Sequence, residues 1–286
     1  MSGGEGPQRF GARLAEAVTA HGPLCAGIDP HTPLLAAWGL TDDADGVERF
    51  GRIVVEALAE HVACVKPQAA FFERHGSRGV AALERVVADA RAAGLLTIVD
   101  AKRGDIGSTM AGYADAFVGD SPLAGDAVTV SPYLGFGSLR PLLDLAAQHG
   151  RGVFVLALTS NPEGAAVQHA VGADGRPVAR AVAEAAAAEN AGATPYGDVG
   201  LVVGATVGSA VSDLGIDLAA VNGPLLAPGV GAQGGTAEDL RQVFGDARRL
   251  VLAASSREVL AAGPSTTALR DAARRSADAL TAALAG

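Results

Sequence analysis

Aromatic residues and cysteines are scarce in this sequence, and long apolar runs are missing from it. Because only 4% of the residues are aromatic while 49% are hydrophobic, the core must consist mainly of aliphatic side chains. Both cysteines, Cys25 and Cys64, lie inside short apolar runs, which predicts buried free thiols rather than a disulfide framework. No uncharged apolar run approaches the roughly 18 residues that cross a membrane, and the polar N-terminus lacks a signal-peptide profile. We therefore expect a cytoplasmic protein that does not bind membranes.

Lysine is also rare, and the chain is acidic, with a net charge of −9. Nucleic acid is therefore not an expected partner, because its phosphate backbone selects basic surfaces. Twenty of the 22 basic residues are arginines, a bias typical of GC-rich genomes, and only Lys66 and Lys102 are lysines. Lysines that persist against such a bias are candidates for a chemical role.

Eight short β-rich segments alternate with helical patterns along the chain. Several are near-continuous apolar runs, which are typical of parallel strands covered on both faces. Between the second and the third of these segments, one helix face is predicted by the i, i+3, i+4, i+7 spacing of Leu83, Val86, Val87 and Ala90. The predicted strands span residues 23–29, 62–66, 96–100, 126–131, 152–158, 199–204, 225–229 and 250–255.

Eight strand–helix units predict a single-domain α/β protein, a closed (β/α)8 TIM barrel over residues 1–286. An open doubly wound sheet is the alternative, but no GxGxxG follows the first strand. We expect a short N-terminal tail at about residues 1–8, and a loop-and-helix insertion at about residues 161–197.

Charged side chains gather at the carboxyl ends of the predicted strands, where such barrels hold their chemistry. Strand one ends in Asp29, strand two in Lys66, and strand three in Asp100 and Lys102. Residues two apart on a strand share a face, so Asp100 and Lys102 can point together into the barrel mouth, where Lys66 can join them. The following turn sends Asp105 in a different direction. A structural salt-bridge cluster is the alternative, but two lysines and two acids at one rim favour a catalytic array.

The last two strands lead into a candidate phosphate site. Strand seven continues into PGVGAQGG, which begins at Pro228 and carries one long amide, Gln233. Backbone N–H groups of such a glycine-rich loop can form an anion nest. Arg257 follows strand eight, where barrels of this kind often bind phosphate beside a short helix. The six histidines show neither HxxxH nor HxH spacing, so no metal site is expected. His31 follows Asp29 and Pro30 at the rim, where it can line the pocket, but we assign it a structural role.

Six motifs in barrel order resemble those of the orotidine 5′-phosphate decarboxylase family, most of all its longer bacterial subgroup. They are GIDP, VKPQ, DAKRGDIGST, LTSNPEG, APGVGAQGG and SSRE, and the resemblance runs from about Gly27 to the C-terminus. DxKxxDIxxT is the specific part, whereas the other motifs count mainly through their order. The resemblance implies a homodimer that converts orotidine 5′-phosphate to uridine 5′-phosphate in de novo pyrimidine biosynthesis, with neither cofactor nor metal.

The resemblance also implies roles for the matching residues. Lys66, Asp100, Lys102 and Asp105 would form an alternating charged array in which Lys102 stabilises and protonates a carbanion at C6 of the pyrimidine. Residues of the turn after strand three would reach into the active site of the partner subunit; these are Asp105, Ile106 and Thr109. The substrate-binding residues would be Asp29 and Lys66 at the ribose, Ser160 at the pyrimidine ring, Gln233 and Arg257 at the phosphate, and Pro228 as a further contact.

Two other functions remain open at this point. Sugar-phosphate decarboxylases and hexulose-phosphate synthases share the barrel and the DxKxxD motif, but they use Mg²⁺ held partly by an acid at the end of strand two, where this chain has Lys66. A non-catalytic nucleotide-binding barrel would be expected to lose part of the charged array, which is complete here. Decarboxylation of orotidine 5′-phosphate with and without a chelator separates the three possibilities.

Overall fold

Eight parallel strands form a closed barrel in the computed structural model, which describes residues 7–230 and 235–285. Consecutive strands pair along the chain and the last pairs with the first, so the sheet has no open edge. The strands are β1 (Leu24–Ile28), β2 (Cys64–Pro67), β3 (Leu96–Arg103), β4 (Ala127–Val130), β5 (Gly152–Leu158), β6 (Val199–Val203), β7 (Leu225–Pro228) and β8 (Val251–Ser255). The predicted (β/α)8 barrel is confirmed.

Helices connect the strands and cover the outside of the barrel. They are α1 (Phe10–His21), α2 (Thr32–Ala37), α3 (Ala44–Leu58), α4 (Ala69–Glu73), α5 (Gly76–Ala92), α6 (Gly107–Val118), α7 (Arg140–Gln148), α8 (Ala165–Gln168), α9 (Val178–Glu189), α10 (Ala210–Asp213), α11 (Ala237–Phe244), α12 (Arg257–Leu260) and α13 (Thr266–Leu284). Short 3₁₀ turns lie at Phe136–Leu139, Pro162–Gly164 and Gly245–Leu250. Within the described ranges, no helix is both long and apolar enough to cross a membrane.

All eight predicted strands are confirmed, and only β3 differs from its predicted bounds by more than two residues. It continues to Arg103 because a bulge shifts its pairing with β4 after Val99, which lets the chain remain in the sheet past Asp100. The predicted apolar face of α5 is buried as well. In the predicted insertion at 161–197, α9 packs against β5 and β6 as a crossover helix. Of the predicted tail at about 1–8, only Pro7 and Gln8 lie within the described residues.

Apolar side chains fill the lower half of the barrel, and α1 closes its floor. Phe10 is fully buried and meets Phe154 edge to face, with the ring centroids 6.0 Å apart. Gly152 makes room for Phe10, because a Cβ at Gly152 would lie 2.2 Å from the phenyl ring. An ion pair from Arg13 to Asp126 holds the helix on the barrel. Cys25 and Cys64 belong to the same interior layer as free, buried thiols, which confirms the prediction for both.

We predict that Phe10→Ala lowers the free energy of unfolding by about 3–5 kcal/mol, because it leaves a cavity in the floor of the barrel. Denaturant unfolding followed by circular dichroism measures this difference. Val171→Ala provides the control, since Val171 is 67% exposed and its truncation should change stability by less than about 0.5 kcal/mol. Equal effects of the two substitutions would show that α1 is not an integral part of the barrel core.

Candidate active site

A cavity of about 330 Å³ opens at the carboxyl ends of the strands. Its wall is formed largely by residues two positions beyond the apolar interior layer, because alternate residues of each strand point into the barrel. From the interior layer towards the mouth, Cys64 is thus followed by Lys66 and then by Gln68. In the same direction, Ile98 is followed by Asp100 and then by Lys102. The same alternation that fills the floor with apolar groups therefore places charged groups at the mouth.

Asp100 lies at the centre of the charged groups and accepts hydrogen bonds on both carboxylate oxygens. Lys66 Nζ lies 2.8 Å from Oδ2, and Lys102 Nζ lies 2.6 Å from Oδ1. Gln68 Nε2 donates to Oδ2 at 3.0 Å, and the Thr129 hydroxyl donates to Oδ1 at 2.8 Å. The sequence-based prediction that Lys66, Asp100 and Lys102 meet at the barrel mouth is confirmed.

Lys66 and Asp100 keep each other ionised although both are buried. Burial alone would lower the pKa of Lys66, but the nearby carboxylates of Asp100 and Asp29 outweigh it and raise that pKa above its usual range. Burial likewise tends to raise the pKa of Asp100, yet Lys66 and Lys102 together hold it well below the ordinary value of 3.8. Lys66 and Asp100 therefore form a fixed ion pair at neutral pH.

Lys102 has a different environment from the other two residues of the cluster. Its side chain is 45% exposed, whereas those of Lys66 and Asp100 are buried. Its backbone adopts φ +49°, an uncommon conformation for a residue with a side chain, at the bulge of β3. Its amide N–H donates to Thr129 Oγ1 at 3.1 Å, which helps to hold this backbone. The strained conformation presents the ammonium group to the cavity, where a ligand can reach it.

The other predicted site residues divide into three groups. Asp29, Ser160, Pro228 and Arg257 line the cavity, and Arg257 is the first residue of α12. The residues expected to act across a dimer interface do not line it; these are Asp105, Ile106 and Thr109. Ile106 is 62% exposed. Gln233 lies outside the described residues, so its assignment stays a prediction.

Seven polar residues of the cavity wall were given no ligand role by the sequence analysis; they are His31, Gln68, Thr129, Thr159, Asn161, Ser255 and Ser256. Gln68 and Thr129 both donate to Asp100, and Asn161 lines the cavity in the loop after β5. His31 also lines it, with its ring against Phe71 at a centroid distance of 4.3 Å, and its structural role stays a prediction. The signal for Gln68 and Thr129 was the two-residue alternation, which applies to β2 and β4 just as it applies to β3.

Apolar side chains form the wall that faces the charged cluster. Leu156, Val202 and Leu226 come from β5, β6 and β7, and Pro228 and Val230 extend this wall towards the mouth. A flat ligand can pack against this surface while its polar edge meets the charges. A ligand that fills the site displaces its water, so the charges then act on the ligand with greater effect than they would in bulk solvent. Among the described residues, no three His, Cys, Asp or Glu side chains gather in a group that fits a metal ion.

Comparison with known proteins shows a match along almost the whole chain. The model of the "Orotidine 5'-phosphate decarboxylase / HUMPS family" matches residues 22–272. A protein of Salinispora arenicola named orotidine 5′-phosphate decarboxylase is 63% identical over 280 residues, which cover 98% of this chain and 99% of the relative. A protein of the same name from Streptomyces coelicolor is 63% identical over 268 residues, covering 93% and 95% of the two chains.

Solved structures agree with this match. A crystal structure from Streptomyces avermitilis, named provisionally as an orotidine 5′-phosphate decarboxylase, superposes with a TM-score of 0.94 at 61% identity and covers 100% of this chain and 99% of its own. The structure of Leishmania donovani OMP decarboxylase superposes with a TM-score of 0.75 at 30% identity, covering 98% of this chain and 100% of its own.

We predict that the carboxyl group of Asp100 does not titrate between pH 7 and about pH 4, because its pKa is lowered by two ammonium groups. The stability that this lowered pKa contributes is fully present above the ordinary value of 3.8 and is lost only as pH falls towards the folded value. Carbon-13 NMR measures the titration, with Asp100→Asn identifying the resonance and the urea-unfolded chain serving as the reference. A midpoint at or above the ordinary value of 3.8 in the folded protein would contradict the charged cluster.

Proposed function

Because the chain belongs to the orotidine 5′-phosphate decarboxylase / HUMPS family, we infer that it converts orotidine 5′-phosphate to uridine 5′-phosphate and CO₂. It is a carboxy-lyase of de novo pyrimidine biosynthesis. The observation that carries the residue-level proposal is the clamp of Lys66 and Lys102 on Asp100, at the edge of a cavity with an apolar opposite wall. This arrangement suits a reaction that develops negative charge on a flat ring.

The chemical difficulty of the reaction is the electron pair that stays on C6 when the bond to the carboxylate breaks. The pair lies in the plane of the pyrimidine, so the ring π system does not delocalise it. Stabilisation must come from a positive charge that is oriented before the reaction begins. Lys102 supplies this charge from its exposed ammonium group, and it then transfers a proton from Nζ to C6. Uptake of one proton from solvent then restores the ammonium group of Lys102, so no net proton is lost from the protein.

Asp100 and Lys66 support this step from the buried side of the cluster. The carboxylate of Asp100 accepts from Lys102 at 2.6 Å, so it fixes the position of the ammonium group. With the substrate carboxylate nearby, the charge of Asp100 also disfavours the bound ground state, and release of CO₂ relieves the repulsion. Lys66 pairs with the other carboxylate oxygen of Asp100, Oδ2. This ion pair offsets the free-energy cost of burying the carboxylate before the substrate binds.

The remaining cavity residues divide the substrate between them. We assign the phosphate to Arg257, which is exposed at the start of α12 beyond β8, and the sequence-based assignment of Gln233 complements it. Asp29 extends from β1 next to β8 and takes the ribose hydroxyls. Ser160, beyond β5, takes the pyrimidine ring, and Pro228 contacts the substrate from the apolar wall.

A magnesium-dependent sugar-phosphate decarboxylase or synthase is the second candidate, because the matching family model covers that group as well. The buried ammonium of Lys66 disfavours it, since this group occupies the strand end that offers an acid to the metal in those enzymes. The two relatives at 63% identity also carry the decarboxylase name.

We propose further that the protein works as a homodimer with shared active sites. Asp105, Ile106 and Thr109 do not line the cavity of their own chain, as expected of residues that serve a partner. Three large apolar side chains are exposed on the loops after β3 and β4, which is unfavourable for a monomer; they are Ile106, Tyr133 and Leu134, at 62%, 75% and 52% exposure. The free thiols of Cys25 and Cys64 suit a cytoplasmic location.

Loss of pyrimidine ultraviolet absorbance on mixing the protein with orotidine 5′-phosphate tests the proposed function. We expect turnover that is unchanged by EDTA. Turnover abolished by EDTA and restored by Mg²⁺ would favour the second candidate, and binding of uridine 5′-phosphate without turnover would indicate a non-catalytic barrel.

Lys102→Ala should lower the turnover rate by more than about 10²–10³-fold, since that is the usual cost of one preorganised electrostatic group and Lys102 also donates the proton. The same absorbance assay measures the effect. Arg85→Ala is the control, because Arg85 pairs with Glu48 on the outer helices and should leave turnover unchanged. Turnover within tenfold of the wild type in the Lys102 variant would overturn the proposed mechanism.

Mixing inactive Lys102→Ala with inactive Asp105→Ala should restore activity if Asp105 acts across the interface. Random exchange makes about half of the dimers heterodimers, and each of these has one intact site, so we expect up to about a quarter of the wild-type rate. Native mass spectrometry establishes that exchange has occurred. No recovery after complete exchange would place the action of Asp105 within its own subunit.

A further inference from the structure

Three residues of β3 lie opposite a single residue of β4 at the rim of the barrel. The regular pairing of the two strands ends at Val99 and resumes only at Arg103, on either side of Thr129 in β4. Residues 100–102 therefore face this one residue. Backbone groups at such a bulge lose their usual partners in the sheet, and a buried N–H without an acceptor is costly.

The side chain of Thr129 supplies an acceptor that the bulge would otherwise lack. Its Oγ1 accepts a hydrogen bond from the backbone N–H of Lys102 at 3.1 Å. Because an N–H can only donate, the proton of the hydroxyl stays available, and the hydroxyl donates it to Asp100 Oδ1 at 2.8 Å. Thr129 is 1% exposed, and Ala127, two positions earlier, belongs to the apolar interior layer, so the hydroxyl points into the barrel.

These two hydrogen bonds and one ion pair of the cluster form a closed ring. The ammonium group of Lys102 also binds Asp100 Oδ1, at 2.6 Å. One carboxylate oxygen thus holds Lys102 at both ends, directly at Nζ and, through Thr129, at the backbone N–H. Fixing both ends restricts a long side chain that otherwise samples many rotamers, so the position of the ammonium group is set before a ligand binds.

The ring acts on a residue with an uncommon backbone conformation. Lys102 has φ +49°, which is disfavoured for a residue with a Cβ because that atom crowds the following carbonyl oxygen. Such a conformation persists only where surrounding contacts hold it, and the hydrogen bond from the Lys102 N–H to Thr129 is such a contact. The Cα–Cβ bond turns with the backbone, so another conformation would direct the ammonium group elsewhere.

We propose that Thr129 is a positioning residue for the proton donor, because its hydroxyl holds Lys102 in the backbone conformation from which the ammonium group reaches C6. The proposal rests on the proposed function and adds to it a group that acts without touching the substrate. The proton of this hydroxyl is directed to Asp100 and away from any ligand. Misplacing a reacting group by about 1 Å can lower a rate about 10²-fold, so one hydrogen bond can be decisive.

Two substitutions of Thr129 separate this role from packing. Thr129→Val keeps the shape of the side chain and removes the hydroxyl, whereas Thr129→Ser keeps the hydroxyl and removes a methyl group. In the absorbance assay we expect Thr129→Val to lower kcat about 10–100-fold and to change KM by less than about threefold, because the lost interaction serves the transition state. We expect Thr129→Ser to stay within about threefold of the wild type.

Thr97→Val is the matched control for the loss of a buried threonine hydroxyl from the barrel. Thr97 lies in β3, is also 1% exposed and does not line the cavity. Its hydroxyl faces the backbone carbonyl of Leu95 at 3.4 Å. Thr97→Val should therefore leave both kcat and KM unchanged.

The scarcity of lysine allows the hydrogen bond itself to be observed without any substrate. Protein labelled with nitrogen-15 lysine gives two backbone amide signals, from Lys66 and Lys102, and Lys102→Ala assigns them by removing one. Hydrogen exchange at the Lys102 amide should be about fivefold or more faster in Thr129→Val than in the wild type, and unchanged in Thr129→Ser. The Lys66 amide, where β2 pairs with β1, is the internal reference.

A kcat within about threefold of the wild type in Thr129→Val would overturn the proposal, as would equal losses in Thr129→Val and Thr129→Ser. An unchanged exchange rate at the Lys102 amide in Thr129→Val would also overturn it, and so would a raised KM with unchanged kcat, which would indicate contact with the substrate. If circular dichroism shows that Thr129→Val does not fold, Thr129→Ala replaces it with the same expectations. The proposed function fails separately, if the wild type does not decarboxylate orotidine 5′-phosphate although the Lys102 amide responds to the substitution as expected.

Discussion

The buried carboxylate of Asp100 is the constraint on which the site depends. A charge removed from water is costly unless it is paired and fully hydrogen-bonded, and the ends of β2, β3 and β4 together meet that demand. Lys66 and Lys102 supply the opposite charges, and Gln68 and Thr129 supply the further donors. The result is a group of full charges that is already oriented when a ligand arrives, so little reorganisation is needed during the reaction.

Along the strands of the barrel, the residues that stabilise the fold are distinct from those that line the site. Below the cluster, the interior consists of apolar side chains and the two thiols, closed from beneath by Phe10 of α1. Burial raises the pKa of Cys64, so that thiol stays protonated and chemically inert although it is only two residues from Lys66. One step along the strand therefore separates the packed floor from the reactive mouth.

Several polar groups of the cavity wall that lie outside the charged cluster come from loops rather than from the strands. The loop after β5 holds Asn161 through side-chain hydrogen bonds, and the turn after β3 directs Ile106 away from its own cavity and into solvent. Loops of this kind adapt to one substrate while the barrel stays constant, which accounts for the many chemistries found on this fold. In the proposed mechanism, the charged cluster stabilises the developing charge, and the surrounding loops bind the substrate.

The sequence by itself determined the eight strands, the barrel, and the meeting of Lys66, Asp100 and Lys102, because strand alternation is local and barrel strands end at a common rim. It did not reveal that Gln68 and Thr129 complete the hydrogen bonding of Asp100, since their partners are distant in the chain and their residue types are common in strands. The left-handed backbone of Lys102 and the orientation of Asn161 also depended on the tertiary structure. A bulge arises from pairing with a neighbouring strand, and an amide is oriented by the sum of its contacts; neither is a property of the local sequence.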